Sequence, residues 1–418
     1  MSARWLRENR YNIALKFTAF LINPLLAFYF SLIRLKTKSS FIILFLVFMS
    51  FGMSMTVPRV RTENMNFDGI AYRNDFESYD KVTLHSFVMN FKDYLLLEGQ
   101  TDFYADTIYF FVSRFSDNYH VMFLFVAFFF SIFSLKSLKI FIQEEHYENS
   151  LVCFILLYTF LINQILNINA FRFFTASWIA TYAILKILVL KEWKCLMWVL
   201  LAPFFHGAFW ALSLLLLVNF LFGKYIKICA VLFVASFFFA ELSVELLRNN
   251  VDFLPLALGQ RLQVYLNEGY MEQINEGGSG LIWIKRMVET LTRVYFNFIV
   301  IFFVFKYHER VEYSKCKTLF SFLLILMIFI NLTMIIPSVG SRFLILALPI
   351  IAYIGLVCFI DSQYKLLFYG LACIWVLHLL LPFSIYLFPC MHYYSVLWEG
   401  FFFMNSPLLS FVKYILLF

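Results

Sequence analysis

Apolar runs of about 15 to 22 residues, most of them long enough to cross a ~30 Å hydrocarbon layer as a helix, recur along the whole chain between short polar segments. They fall at Phe17 to Ile33, Phe41 to Val57, Val121 to Leu135, Leu151 to Ile168, Phe171 to Leu190, Ile228 to Leu246, Met287 to Phe305, Leu319 to Ile336, Phe343 to Ile360 and Leu366 to Leu387. The run between Lys194 and Lys224 is too long for one span and short for two; a broken hairpin with Pro203 to Gly207 near its tip resolves this, since irregular backbone at membrane depth is tolerated where it lines a cavity. Two runs are interrupted, the first by Asn23-Pro24 and the C-terminal Phe401 to Phe418 by Pro407. The pattern predicts an all-α polytopic integral membrane protein, a bundle of about 10 to 12 transmembrane helices. No stretch is left over for a separate soluble domain, so residues 1–418 are expected to form a single transmembrane domain.

The polar segments also carry the topology. Lys and Arg cluster in short loops at Arg34 to Lys38, Lys136 to Lys139, Lys191 to Lys194, Lys224 to Lys227 and Lys306 to Lys317, which marks these as cytoplasmic. Residues 58–106 and 247–285 then face outward, as does the turn Pro337 to Arg342. The first outer segment is longer than ordinary connections, and its many aromatics argue for order. By the same counting the first apolar run spans only if its basic N-terminus lies outside, against the usual distribution of positive charge; the alternative is an interfacial or re-entrant first helix.

Composition agrees with this picture and removes several others. Of 418 residues, 62% are hydrophobic and 14% charged. The net charge of +7 sits in the topogenic loops, so it reports orientation and gives no reason to expect nucleic acid. Cys153, Cys195, Cys229, Cys358 and Cys373 lie in apolar runs without metal-like spacing and read as packing residues. The first apolar run has no small-residue cleavage site, so insertion by the chain's own helices is expected. No Walker motif, GxSxG or HExxH occurs, which takes away the usual support for nucleotide-driven transport, serine hydrolysis and zinc proteolysis.

Candidate chemistry converges on the outer face. Asp68, Tyr72, Asp75 and Tyr79 share one side of a helix at i, i+4, i+7 and i+11; carboxylates beside aromatic platforms suit a carbohydrate, though a solvated loop helix has the same pattern. Arg172 stands at the outer mouth of one span and Arg342 at that of another. A guanidinium fork holds phosphate or pyrophosphate in two-point contact, while snorkelling or a carboxylate partner is the plainer role. Charged or ionisable groups at this depth cost about 2.5 to 3.5 kcal/mol. His206, in the hairpin, can act as a base or donor, or as a satisfied structural residue. Arg261, Arg286 and Arg293 also enter from the outer side and are assigned to substrate binding, with Glu289 between the last two as an ion-pair partner. Asp68, Asp75 and Asp80 are the carboxylates available to a cation.

The order of these features is familiar. The outer Asp-x3-Tyr segment, the block "NAFRFFTASWIATYAILKILVLKEWKCLMWVLLAPFFHGAFWAL" and the late "SRFLILALPII" together resemble the EpsG-like branch of the Wzy family, bacterial O-antigen and exopolysaccharide polymerases. Where that family often has Arg-Gln-x-Leu-Ala, this chain has Arg172-Phe173-Phe174-Thr175-Ala176, keeping the arginine and the small residue. The resemblance implies an inner-membrane glycosyltransferase, similar to integral-membrane enzymes that use lipid-phosphate donors. Its substrates are expected to be undecaprenyl-pyrophosphate-linked oligosaccharides, and its site is expected to face the periplasm. It further implies membrane lipids, a chain-length regulator and a flippase as partners. Within it, Arg172 and Arg342 take the pyrophosphate charge, Asp68 is the expected base with His206 second, and Tyr72 positions sugar. No cofactor and no obligatory metal are expected, because two arginines can stand in for a cation. The rival assignments are O-antigen ligase and a flippase or transporter of lipid-linked units, the latter disfavoured by the lack of an internal repeat.

Overall fold

Asn23 ends one helix and starts the next. Its N–H donates to Ala19 O of α1 (Arg10–Ile22), and its Oδ1 accepts from Leu25 N and Leu26 N at the head of α2 (Pro24–Ile33). Pro24 occupies the first helical position, where a missing N–H costs nothing. The chain then comes back to where it began. Leu6 N donates to Lys36 O at 2.9 Å, and the buried Lys16 ammonium meets Glu8 at 2.7 Å and the hydroxyls of Thr37, Ser39 and Ser40. With 10 residues, α2 is about 15 Å long, half of what a span needs. The first apolar run is therefore a hairpin of two short helices and not one straight span. It brings Leu6 and Glu8 back beside the Arg34 to Lys38 loop.

The computed structural model describes residues 5–55, 57, 59–60, 68–267, 269, 282–336, 339–360 and 362–382, and among these there is no strand. Among the described residues four helices are long and apolar enough to cross a membrane, Tyr119–Ile142 (α7), Asn167–Val189, Met287–Phe305 and Gly340–Cys358 (α17), or five if the bent pair Ile226–Ala235 and Ala240–Asn249 counts as one. This is fewer than the about 10 to 12 expected, because several apolar runs form helices of only 10 to 17 residues. Shorter apolar helices include α3 (Lys38–Met53), α8 (Leu151–Phe160) and α16 (Lys317–Thr333). At the centre lies α9 (Phe171–Ile184), the helical part of the second of these spans, packed on α7 and α17; Trp178 of α9 and Tyr353 of α17 are among the largest fully buried side chains. Gly52 sets the α3–α7 crossing, since a Cβ there would meet Ala127 Cβ at 2.4 Å. Buried amides add interhelical links: Asn297 and Asn331 exchange hydrogen bonds at 3.2 and 3.1 Å.

One expected span is bent. Instead of a straight helix from Ile228 to Leu246, α12 (Ile226–Ala235) and α13 (Ala240–Asn249) meet at 93°. The physical reason is composition: α13 carries Glu241, Glu245 and Arg248 within ten residues, too many charges to continue through hydrocarbon. Ser236 marks the turn, donating to Phe233 O at 2.6 Å and accepting from Asn331 at 3.2 Å.

The hairpin break expected near Pro203 to Gly207 is present. Helix α10 (Leu196–Phe205) stops at His206, which is extended (φ −158°, ψ 123°), and a short turn leads into α11 (Trp210–Phe222). The break docks against the first outer segment, which holds α4 (Asp68–Ser78), α5 (Leu84–Leu95) and the start of α6 (Tyr104–Ser113). Phe103 N donates to Phe204 O at 3.0 Å, and a Cβ on Gly207 would lie 2.6 Å from Thr101 O, so only glycine fits. Across the same face comes α14 (Leu256–Leu266), whose Ala257 N donates to Leu97 O at 3.1 Å. Leu97 turns that carbonyl outward from a left-handed conformation (φ 56°), which costs a non-glycine residue about 1 to 2 kcal/mol. Of the second outer segment, the Glu276 to Gly280 turn lies outside the described residues, as does the C-terminal run from residue 383.

Candidate active site

The face read from the sequence as Asp68, Tyr72, Asp75 and Tyr79 lines one cavity of about 840 Å³ between α4, α6, α9 and α14. That volume lies within the ~300–1,000 Å³ range of small-ligand sites. Ile70 and Phe76 bury the opposite side of α4 in the core. Its N-terminus is tied down by Gly69 N donating to Asn169 Oδ1 at 2.9 Å, and Arg73 bridges Glu77 at 2.8 Å while stacking over Tyr119 at 4.0 Å. The helix is thus fixed on one side and open to the cavity on the other.

Arg172 reaches the same cavity from the first turn of α9. Its Nη1 donates to Asp102 Oδ1 at 3.0 Å and its Nε to the Tyr72 hydroxyl at 3.2 Å. Tyr72 in turn packs on Phe171 with ring centroids 4.5 Å apart. Asp102 is 4% exposed; burial pushes its carboxyl above the usual range, and the adjacent guanidinium pulls it back. A buried pair of this kind is costly to break from one side, about 3 to 5 kcal/mol, because the remaining charge is left without compensation.

The opposite wall is acidic and aromatic. Asp106 accepts from the Tyr79 hydroxyl and, at 3.4 Å, from Gln100. Burial and that carboxylate both push the Tyr79 phenol up, so it stays a donor. Tyr79 stacks edge-on against Tyr109 at 5.3 Å. Outside the cavity, against Phe103, burial and the charge of Asp102 raise Tyr94 to about 12. Gln260 and Arg261 complete the cavity from α14. Such a lining, tyrosine faces between carboxylates and amides with two guanidinium groups, can hydrogen-bond a polyhydroxylated ligand while holding an anion at one end.

His206 and Arg342 stand beside the cavity, not in its wall. Phe173 connects them: the His206 ring meets it edge-on at 5.3 Å, and the Arg342 guanidinium lies over it at 5.7 Å. The positive charges of Arg172, Arg342 and Arg261 all act on the imidazole. His206 Nδ1 accepts from Ala208 N at 3.2 Å, so the neutral ring carries its proton on Nε2. In that tautomer His206 caps the hairpin break and offers its Nε2–H as a donor. Arg293, on α15 (Ile282–Phe305), is half-buried and does not line the cavity; the side chain of Arg286 lies outside the described residues. Among the described residues no three His, Cys, Asp or Glu side chains converge as a metal site, so Asp68, Asp75 and Asp80 do not form such a cluster.

Asp102, Asp106 and Tyr109 are cavity residues that the sequence reading did not select. The available signal was Asp102 and Asp106 at i, i+4 spacing on the outer side of an apolar helix, within reach of an outer arginine that needs a carboxylate.

The fold and cavity define a polytopic helical membrane protein with a polar, charged site at the mouth of its bundle. The family model of the EpsG family matches residues 44–397, leaving out residues 1–43 and 398–418. This chain belongs to the EpsG family, a family of Wzy-like polysaccharide polymerases. No curated protein and no solved structure matches it significantly.

Proposed function

We propose that the chain is the polymerase of a bacterial O-antigen or exopolysaccharide, and that it transfers a growing glycan from undecaprenyl pyrophosphate to a lipid-linked oligosaccharide repeat unit at the periplasmic face of the inner membrane. The observation that carries this reading is the union of Asp68, Tyr72, Arg172 and Arg261 on one cavity. A hydroxyl of the acceptor sugar attacks the anomeric carbon of the donor. The new C–O bond forms as the bond to the pyrophosphate oxygen breaks, and that oxygen leaves with the electron pair. Asp68, exposed on the cavity side of α4, takes the hydroxyl proton. Arg172, with Arg342 behind Phe173, takes up the charge on the leaving pyrophosphate, usually the largest catalytic contribution in such sites. Tyr72, Tyr79 and Asp75 hold the sugars, and no metal is required in this scheme.

Gene deletion followed by electrophoresis of the surface glycan tests the assignment. Loss of the ladder with a single repeat unit still attached supports the polymerase; loss of every repeat supports a ligase or a flippase instead.

A further inference from the structure

Arg172 is the second residue of its helix, where the partial positive charge of the helix N-terminus opposes a cation. Asp102 overcomes that opposition, and its surroundings show how. Oδ1 receives Arg172 Nη1 at 3.0 Å, and Oδ2 faces the N–H of Gly207 at 3.5 Å. The backbone on either side is clamped to the α10–α11 break, by the close packing of Thr101 on Gly207 and by the Phe103 N to Phe204 O hydrogen bond. With both oxygens engaged and its backbone pinned, Asp102 is badly placed to follow a substrate proton.

We infer that Asp102 is a positioning residue: it fixes the Arg172 guanidinium in the cavity wall and joins it to the hairpin break, so that Arg172 meets a phosphate oxygen through Nη2. Nε and Nη1 are committed to Tyr72 and Asp102, and Nη2 makes no hydrogen bond to the protein among the described residues. The inference rests on the reading of Arg172 as the group that receives the pyrophosphate charge.

Its test combines a chemical readout with kinetics on the full-length enzyme in lipid nanodiscs. Phenylglyoxal modification of Arg172, followed by peptide mass spectrometry, should be several-fold faster in Asp102→Asn than in wild type, because the neutral amide no longer holds the guanidinium. In elongation assays kcat should fall roughly ten- to a hundredfold, the rate equivalent of one hydrogen bond to a charged group, with KM for the lipid-linked unit little changed. The double variant Asp102→Asn, Arg172→Lys should be no slower than Arg172→Lys alone. Equal labelling rates at equal thermal stability, or additive losses in the double variant, overturn the positioning role. If Asp102→Asn does not accumulate, Asp102→Glu keeps the charge but shifts it by one methylene; faster labelling and lower kcat support the role, and wild-type values for both overturn it. Faster labelling in Asp102→Asn with normal elongation in Arg172→Lys would leave Asp102 as the holder of Arg172 while removing the charge role of Arg172.

Discussion

The N–H of Gly69 and the side-chain oxygen of Asn169 are joined at 2.9 Å across one hundred residues of sequence. This bond anchors the first turn of α4, and hence Asp68, to the turn that precedes Arg172. Asn169→Ala should therefore slow elongation without touching substrate, by about fivefold if the bond contributes a typical ~1 kcal/mol. Turnover of purified protein measures it, and a wild-type rate would detach Asp68 from that anchor.

Arg172→Lys and Arg342→Lys are both expected to reduce elongation severely, roughly a hundredfold or more, with protein levels maintained. A lysine point charge cannot serve Asp102, Tyr72 and a phosphate together. Surface-glycan ladders beside immunoblots of the membrane fraction make the comparison; normal ladders from both variants would remove the pyrophosphate role.

Asp68 and His206 make different demands as bases. Asp68→Asn keeps shape but cannot accept the hydroxyl proton, so turnover should be lost, whereas His206→Gln should retain part of it, because the amide oxygen can still accept from Ala208 N. Near-normal turnover in Asp68→Asn with none in His206→Gln exchanges the two roles.

Gly207→Ala places a methyl group 2.6 Å from Thr101 O, against pinned backbone on both sides. Overpacking of this kind costs about 1 to 3 kcal/mol, and thermal unfolding in detergent should show a lower midpoint together with lost elongation. An unchanged midpoint would mean that the outer segment yields at this contact.

Cysteine accessibility checks sidedness. A cysteine at Asn74, on α4, should react with an impermeant maleimide from outside the cell, and one at Lys36, beside Leu6, only after permeabilisation. Reaction at position 74 only from the cytoplasm puts the proposed face on the wrong side.

The helical runs, the shared face of α4 and the arginine at the mouth of α9 were all legible in the sequence, because each depends on periodicity or on the cost of a charge beside hydrocarbon. The fold-back of α1 and α2 was open because it depends on where the chain returns, and only the Leu6–Lys36 contact decides that. The right-angle bend after Ala235 is local in cause, through the charges of α13, yet hydropathy averaged over a span conceals it. Asp102 was hidden for another reason. It belongs to no apolar period of its own, and its meaning comes from Arg172, seventy residues later. His206 drew attention as an ionisable group in an apolar run, and the fold uses it first as a cap.

The cavity has two jaws written in separate stretches of the gene, residues 68–109 and 257–264, joined by the hydrogen bond from Ala257 to Leu97. Arg172 and Asp102 belong to the deeper wall, while Gln260 and Arg261 come from the later stretch alone. A change of side chain at Gln260 or Arg261 thus reshapes one jaw and leaves the Arg172–Asp102 pair of the deeper wall in place.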